Sequence, residues 1–296
     1  LKTMVRIKIS KTLEQKIRRG YPWVFHYQVQ NEKVEGKPGD LAVVYDSKNQ
    51  FLAIGLYDPE SDIRLRVLQT SNPVDIDSIF FEEKFNRALQ LRAYLPSEGT
   101  TGYRVINGEN DGFPGLIADV YNQVLVVKLY AAIWFPYLEI ILKQLIEVSQ
   151  VKTVVLRLSR SLQQMNNTYG LFEGQVIFGT LSNETIPFIE HGVNFSANVI
   201  KGHKTGYFLD HRDNRKRVGV LSKNKTVLDV FSYAGGFSVH ALANQAKAVT
   251  SVDISKQALA LAIENGKLNS FKGTHNTLAG DAFEILRELI SKKQTF

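Results

Sequence analysis

Short apolar runs broken by Pro, Gly and Asn dominate the first seventy residues. VRIKI (5–9), DLAVVYD (40–46), FLAIGLY (51–57) and IRLRVL (63–68) are rich in β-branched and aromatic residues. They predict a small barrel or sandwich in which residues 5–69 are all strand and turn. After SNPVD (71–75) the pattern becomes helical to about Tyr94, where LPSEGTTG interrupts it. QVLVVKLY (123–130) and KTVVLRLS (152–159) then read as strands flanking a helix. In that helix Leu138, Ile141, Leu142, Leu145 and Ile146 recur at i, i+3, i+4, i+7, i+8, the stripe of a core-facing surface rather than of a site. QQMNNTYGLFEG (163–174) is polar and Gly-containing, a predicted loop.

The last third holds three short strands that each end near a carboxylate. TVLDV (226–230) is an apolar strand ending near Asp229; Gly235 and Gly236 allow a tight turn, and a helix follows. AVTSVDIS (248–255) is a second strand, ending in Asp253, 17 residues beyond Gly236. A carboxylate at about 20 residues past such a turn accepts hydrogen bonds from ribose hydroxyls in dinucleotide-type folds. HNTLAGDAF (275–283) is a third, ending in Asp281, placed to reach an adenine amino group. In open α/β sheets ligands sit outside the carboxyl ends of the strands, so three such carboxylates in series predict a nucleoside-cofactor pocket. A lone acidic strand end would be a helix cap and nothing more.

The turn F-S-Y-A-G-G-F lacks the G-x-G-x-x-G spacing that frees amides for a pyrophosphate. S-adenosyl-L-methionine carries no phosphate but has an ammonium, a sulfonium and a ribose, which acidic walls suit. The methyl donor is therefore the favoured cofactor over a dinucleotide.

KTGYFLDHRDNR (204–215), LDVFSYAGGFSVHA (228–241), VDIS (252–255) and GDAF (280–283), in that order, resemble the RlmI-type large-subunit ribosomal RNA methyltransferases. RRGYPWVFHYQV (18–29), the PGD turn (38–40) and FLAIGLYDPESDIRLRVL (51–68) are similar to that family's PUA domain, an RNA-binding β-barrel. YRVINGENDGFPGLIADVYNQVLVVKLY (103–130) is similar to its central α/β domain. The resemblance implies a PUA-like domain over 1–71, a central domain over 72–190 and part of a Rossmann-like methyltransferase domain over 191–296. It further implies donor binding by Asp229, Phe231, Ser232, Gly235, Gly236, Asp253, Ile254, Asp281 and Ala282. Lys204, Thr205, Phe208, Asp210 and Arg212 would position donor or nucleotide.

Composition narrows the partners. The 296 residues, 44% apolar, describe a globular chain of two or three domains. A net charge of +7 favours an anionic partner, large-subunit ribosomal RNA on the resemblance. No apolar run approaches the ~20 residues that span a bilayer, and LKTMVRIKIS lacks a signal-peptide core, so a cytoplasmic protein without membrane attachment is expected. The absence of cysteine excludes disulfides and cysteine-ligated metals within these residues, and the six histidines show no metal-ligand spacing. Between Lys201 and Arg217 six cations, including Arg215 and Arg217, face two carboxylates and are interleaved with Tyr207 and Phe208, as single-stranded RNA binding requires. A solvated helix face is the plain alternative. Arg18 and Arg19 beside Trp23 read equally as an RNA-binding rim or a soluble barrel edge. A homodimer is one option that the sequence leaves open.

A full methyltransferase domain of this class needs six or seven strands, well over about 150 residues. His191 to Phe296 supplies 106, which predicts a partial domain with the catalytic group expected beyond Phe296. Methylating cytosine C5, the favoured target, takes a thiolate that adds to C6. Either that nucleophile lies outside these residues, where the resemblance puts it, or the target is a ring nitrogen such as guanine N7. The competing readings are an RNA-binding assembly factor with a vestigial donor site and an NAD-dependent oxidoreductase.

Overall fold

A computed structural model describes residues 4–30, 34–165 and 169–296. By Cα proximity they form two compact units, Leu1–Tyr94 with Arg104–Glu184 and Val199–Lys201, and Leu95–Tyr103 with Thr185–Asn198 and Gly202–Phe296.

The first unit opens with β1 (Val5–Lys8), α1 (Lys11–Arg18), β2 (Trp23–Phe25), β3 (Leu41–Tyr45), β4 (Phe51–Tyr57) and β5 (Ile63–Thr70). They build one sheet in the order β1-β3-β4-β5-β2, with β1 parallel to β3 and the other pairs antiparallel. The expectation that residues 5–69 hold only strand and turn is wrong at α1. Ser10 caps this helix by accepting from the Leu13 amide at 3.4 Å, and Leu13 and Ile17, four apart, are its buried residues. With one apolar residue per turn among strong helix formers, the signal was present but two turns long. Ile7, Leu13, Ile17, Val24, Val44 and Leu65 lie together in the core of this part.

Next come α2 (Ser78–Gln90), β6 (Gly102–Asn107), β7 (Leu116–Tyr121), β8 (Val124–Leu129), α3 (Leu138–Ser149), β9 (Thr153–Leu158), the short α4 (Arg160–Gln163) and β10 (Gln175–Phe178). The sheet order is β10-β9-β8-β7-β6, and β8 runs parallel to β9 because α3 crosses between them. Leu138, Ile141 and Leu145, three of the five residues in the predicted stripe, are buried, and Leu142 and Ile146 are half-buried. Part of the predicted 163–174 loop, residues 166–168, lies outside the described residues.

The second unit contains the hairpin β11 (Thr185–Glu190) and β12 (Val193–Asn198), then α5 (Arg212–Leu221), β13 (Thr226–Val230), α6 (Gly236–Ala243), β14 (Ala248–Asp253), α7 (Lys256–Lys267), β15 (Thr274–Ala279) and α8 (Ala282–Ser291). The expected boundary at 190/191 falls at the tip of that hairpin. β13, β14 and β15 lie side by side and parallel, each followed by a helix, so all their carboxyl ends open on one edge. No helix among the described residues is long and apolar enough to cross a membrane.

Candidate functional site

The carboxyl edge of the β13–β15 sheet collects the predicted carboxylates. Asp229 Oδ2 accepts from the Ser238 amide at 3.1 Å and from its hydroxyl at 2.7 Å, tying the end of β13 to the first turn of α6. Asp253 Oδ2 accepts from the Tyr233 amide at 2.8 Å and Oδ1 from the Ser255 amide at 2.9 Å, so one carboxylate at the end of β14 holds the turn after β13. That turn is strained: Phe231 and Tyr233 have φ of +63° and +47° without being glycine, a conformation that costs on the order of 1 kcal/mol or more each. Burial pushes the Asp229 carboxyl above its usual range, the Ser238 bonds oppose that, and the neighbouring Asp253 charge adds to the rise. Among the described residues neither Asp229 nor Asp253 has a Lys, Arg or His within ion-pair distance. The edge is thus an uncompensated negative site.

Ser238 Oγ lies 2.6 Å from Ser251 Oγ, which lies 2.8 Å from His275 Nε2. Because the Ser238 hydroxyl donates to Asp229, each oxygen must receive a proton from the next group along. His275 therefore carries its proton on Nε2, and the chain fixes both serine rotors. Burial holds the His275 pKa below its usual value.

Ser232 is buried, and its Oγ has no hydrogen-bond partner among the described residues. Beside it Phe231, Ile254 and Phe283 are 69%, 75% and 66% exposed, and the Phe231 and Phe283 rings meet edge to face at 6.4 Å. Phe283 was not singled out from sequence; its position directly after GDA, on the turn that Asp281 caps, was the available signal. Asp281 itself caps α8, its Oδ1 accepting from the Phe283 and Glu284 amides at 2.9 and 3.1 Å while Oδ2 takes no part in the cap. Ala282 is buried.

The two glycines serve packing. A Cβ on Gly235, whose φ is +75°, would lie 2.6 Å from Ala262 Cβ on α7. One on Gly236 would lie 2.6 Å from the Tyr207 hydroxyl and 2.8 Å from Arg215 Cδ. Gly235→Ala is therefore expected to lower stability by about 1–3 kcal/mol, read as a lower urea midpoint at unchanged slope. An unchanged midpoint would mean that α7 moves aside at no cost.

The KTG segment meets this turn through aromatic contacts. The Phe208 and Tyr233 rings pack edge to face at 5.1 Å, and His203 reaches Tyr233 at 5.8 Å. Thr205 is buried, Lys204 is exposed with its ammonium 6.0 Å from the Phe208 ring, Asp210 is exposed, and Arg212 lies 3.4 Å from Asp213.

The RNA-facing expectations divide. Arg215 is only 3% exposed; its guanidinium forks onto Glu190 at 2.6 and 2.7 Å and stacks on Tyr207, while His240 Nε2 lies 3.0 Å from the same carboxylate. It is a core cation, and charge counting placed it wrongly because alternate faces of α5 point in opposite directions. Arg217 and Arg19 are exposed, Arg18 pairs with Asp46 at 2.8 Å, and the Trp23 indole donates to Glu109 at 3.0 Å.

A βαβαβ unit with a bare acidic edge, an unpartnered serine hydroxyl and exposed apolar side chains defines a binding domain for a cationic nucleoside cofactor. The family model for S-adenosylmethionine-dependent methyltransferases matches residues 105–289 and that for the PUA-like domain matches 7–70. The chain belongs to the S-adenosylmethionine-dependent methyltransferase family, with S-adenosylmethionine as its cofactor. It is 47% identical to a ribosomal RNA large subunit methyltransferase of Deinococcus radiodurans over 95% of this chain and 71% of that one. With the ribosomal RNA large subunit methyltransferase I of Aliivibrio fischeri it shares 35% identity, over 96% of this chain and 72% of that one. A candidate SAM-dependent methyltransferase from Streptococcus mutans has the same fold, with a TM-score of 0.82 at 22% identity over 99% of this chain and 75% of that one.

Proposed function

We propose that this chain binds S-adenosylmethionine at the β13–β15 edge in order to methylate a base of large-subunit ribosomal RNA. The observation that carries the reading is the pair of carboxylates, Asp229 and Asp253, with no cation within ion-pair distance among the described residues: a cationic donor supplies the missing charge. S-adenosylmethionine brings a methyl group made electrophilic by its sulfonium. Asp253 takes the ribose hydroxyls, Asp281 Oδ2 the adenine amino group, and Ile254 and Phe283 the faces of the adenine; Ser232 Oγ and the Asp229 carboxylate meet the donor's polar end, and the Phe231–Gly236 turn closes around it. Lys204, Thr205, Phe208, Asp210 and Arg212 position donor or target nucleotide through the Phe208–Tyr233 contact. Arg18, Arg19, Trp23 and Arg217 face the RNA, the first three on the PUA-like part, within a division at about residues 71 and 190. The relatives named as large-subunit ribosomal RNA methyltransferases support this choice of substrate.

Cytosine C5 is the target we favour. The sequence contains no cysteine, so donor binding without transfer to C5 is expected from these residues alone. Isothermal titration with S-adenosylmethionine, S-adenosylhomocysteine and NAD tests the donor assignment. Saturable heat from both adenosyl compounds and none from NAD is the expected pattern; heat from NAD alone sinks it. With radiolabelled donor, label appearing on a ring nitrogen would overturn the C5 reading.

A further inference from the structure

Within the first unit a cleft of about 530 Å³ opens where β2 and β5 meet the loop after β6. Its volume lies in the range of small-ligand pockets. Trp23 and Tyr130 supply aromatic walls, Arg66, Glu109, Asn107 and Asn110 the polar groups. The Trp23 indole is held against the loop by its 3.0 Å bond to Glu109 Oε1. Arg66 is 7% exposed, yet only its Nη1 is engaged, donating to the Ile63 carbonyl at 3.3 Å and lying 3.9 Å from Asp58; Nε and Nη2 have no partner among the described residues. The Nε and Nη2 donors are therefore open to the cleft, where the acceptors of a ligand edge can take the place of solvent.

Arg66 already faces two carboxylates, Glu109 in the lining and Asp58 at 3.9 Å, which argues against phosphate as the group inside. A neutral, flat, polar-edged ring fits instead: faces for Trp23 and Tyr130, an edge with both donors and acceptors for Arg66, Glu109 and the two asparagines. From Trp23 outward along the edge strand follow Phe25, edge to face at 6.3 Å, and the exposed Tyr27, stacked on Phe25 at 5.6 Å, while Tyr21 on the other side packs against the core. Sequential aromatic platforms are how proteins hold unpaired bases.

We infer that this cleft seats one unpaired nucleobase, with neighbouring bases of a single strand stacking along the β2 rings. This rests on the RNA reading above but names a site and a base-level contact that the reading does not contain. It also separates RNA capture from donor binding, because the cleft belongs to the first unit and the donor edge to the second.

The chain has two tryptophans, and Trp134 is buried with its indole bonded to the Pro114 carbonyl, so ligand-dependent fluorescence reports on Trp23. The expected result is saturable quenching by an unstructured oligoribonucleotide, at least tenfold tighter than by duplex RNA of the same length, and about tenfold weaker in Tyr130→Ala and in Asn110→Ala. Asn110 is exposed, so its variant keeps the test independent of folding. Quenching by nucleoside monophosphates as tight as by the oligomer would assign the cleft to a free nucleotide as the source of the base. Equal quenching by polyphosphate would overturn base recognition. Oligomer retained on filters with Trp23 fluorescence unmoved would overturn the cleft and leave the RNA reading standing, whereas no retention of any RNA would bring down that reading and the RNA-strand arm of the inference together.

Discussion

Asp253→Ala is expected to weaken S-adenosylmethionine binding at least about 100-fold, equivalent to roughly 2.7 kcal/mol, while leaving oligoribonucleotide affinity within about twofold. The size follows from three roles converging on one side chain. Its Oδ2 fixes the Tyr233 amide and its Oδ1 the Ser255 amide, so the carboxylate shapes the strained turn before any ligand arrives. On our reading it then accepts from the ribose, and hydrogen bonds to a charged acceptor contribute about 1.5–3 kcal/mol each. It also supplies half of the uncompensated charge that a cationic donor meets. Asp253→Asn separates these roles: it keeps one acceptor and the shape but removes the charge, so an intermediate loss of about tenfold is expected. Calorimetric affinities within threefold of the parent for both variants would show that the donor lies elsewhere. Asp253→Ala should also lower stability by about 1–3 kcal/mol, since the Tyr233 and Ser255 amides lose their acceptor, and Asp253→Asn by less.

The three strands and their carboxylates were legible as short runs that end near an Asp, TVLDV and AVTSVD by their Val and Leu above all, although β13 is only half-buried and β15 mostly exposed. The reasons for Gly235 and Gly236 were not. Sequence allowed a turn that lets a ligand approach, whereas the space beside both glycines is taken by Ala262, Tyr207 and Arg215, residues 21 to 29 positions away. The helix α1 was missed because a two-turn helix carries only two buried residues, Leu13 and Ile17, too few to establish a period. Arg215 was misjudged for a related reason. A charge cluster read along the chain has no faces, and on α5 Arg215 turns inward while Lys216 and Arg217 turn out. Its partner Glu190 is 25 residues away on β11, and no local pattern announces a pair of that separation.

Glu190→Gln should then be the most destabilising single change in the second unit, lowering stability by about 3–5 kcal/mol because it leaves Arg215 charged and buried without a counter-ion. At about 2–4 °C per kcal/mol the melting temperature should fall on the order of 10 °C. Burial alone would raise the Glu190 carboxyl, but the hydrogen bonds from Arg215 and His240 outweigh it and hold the pKa below the ordinary value. A group whose folded pKa is depressed contributes above its unfolded pKa and loses that contribution as pH falls through the folded one. The gap between parent and variant should therefore be full at neutral pH and close on acidification below the usual carboxylate range. Replacing both partners, Glu190→Leu with Arg215→Met, should recover part of the loss, since the buried guanidinium is gone and only the His240 Nε2 is left without its partner. The damage should also reach the donor edge: Tyr207 and Arg215 pack against Gly236 at the start of α6, and α6 carries the Ser238 that holds Asp229. Donor affinity should accordingly fall in Glu190→Gln at temperatures where the variant is still folded. A variant as stable as the parent at neutral pH would mean that Arg215 finds water or another anion, and the buried pair would lose its structural role.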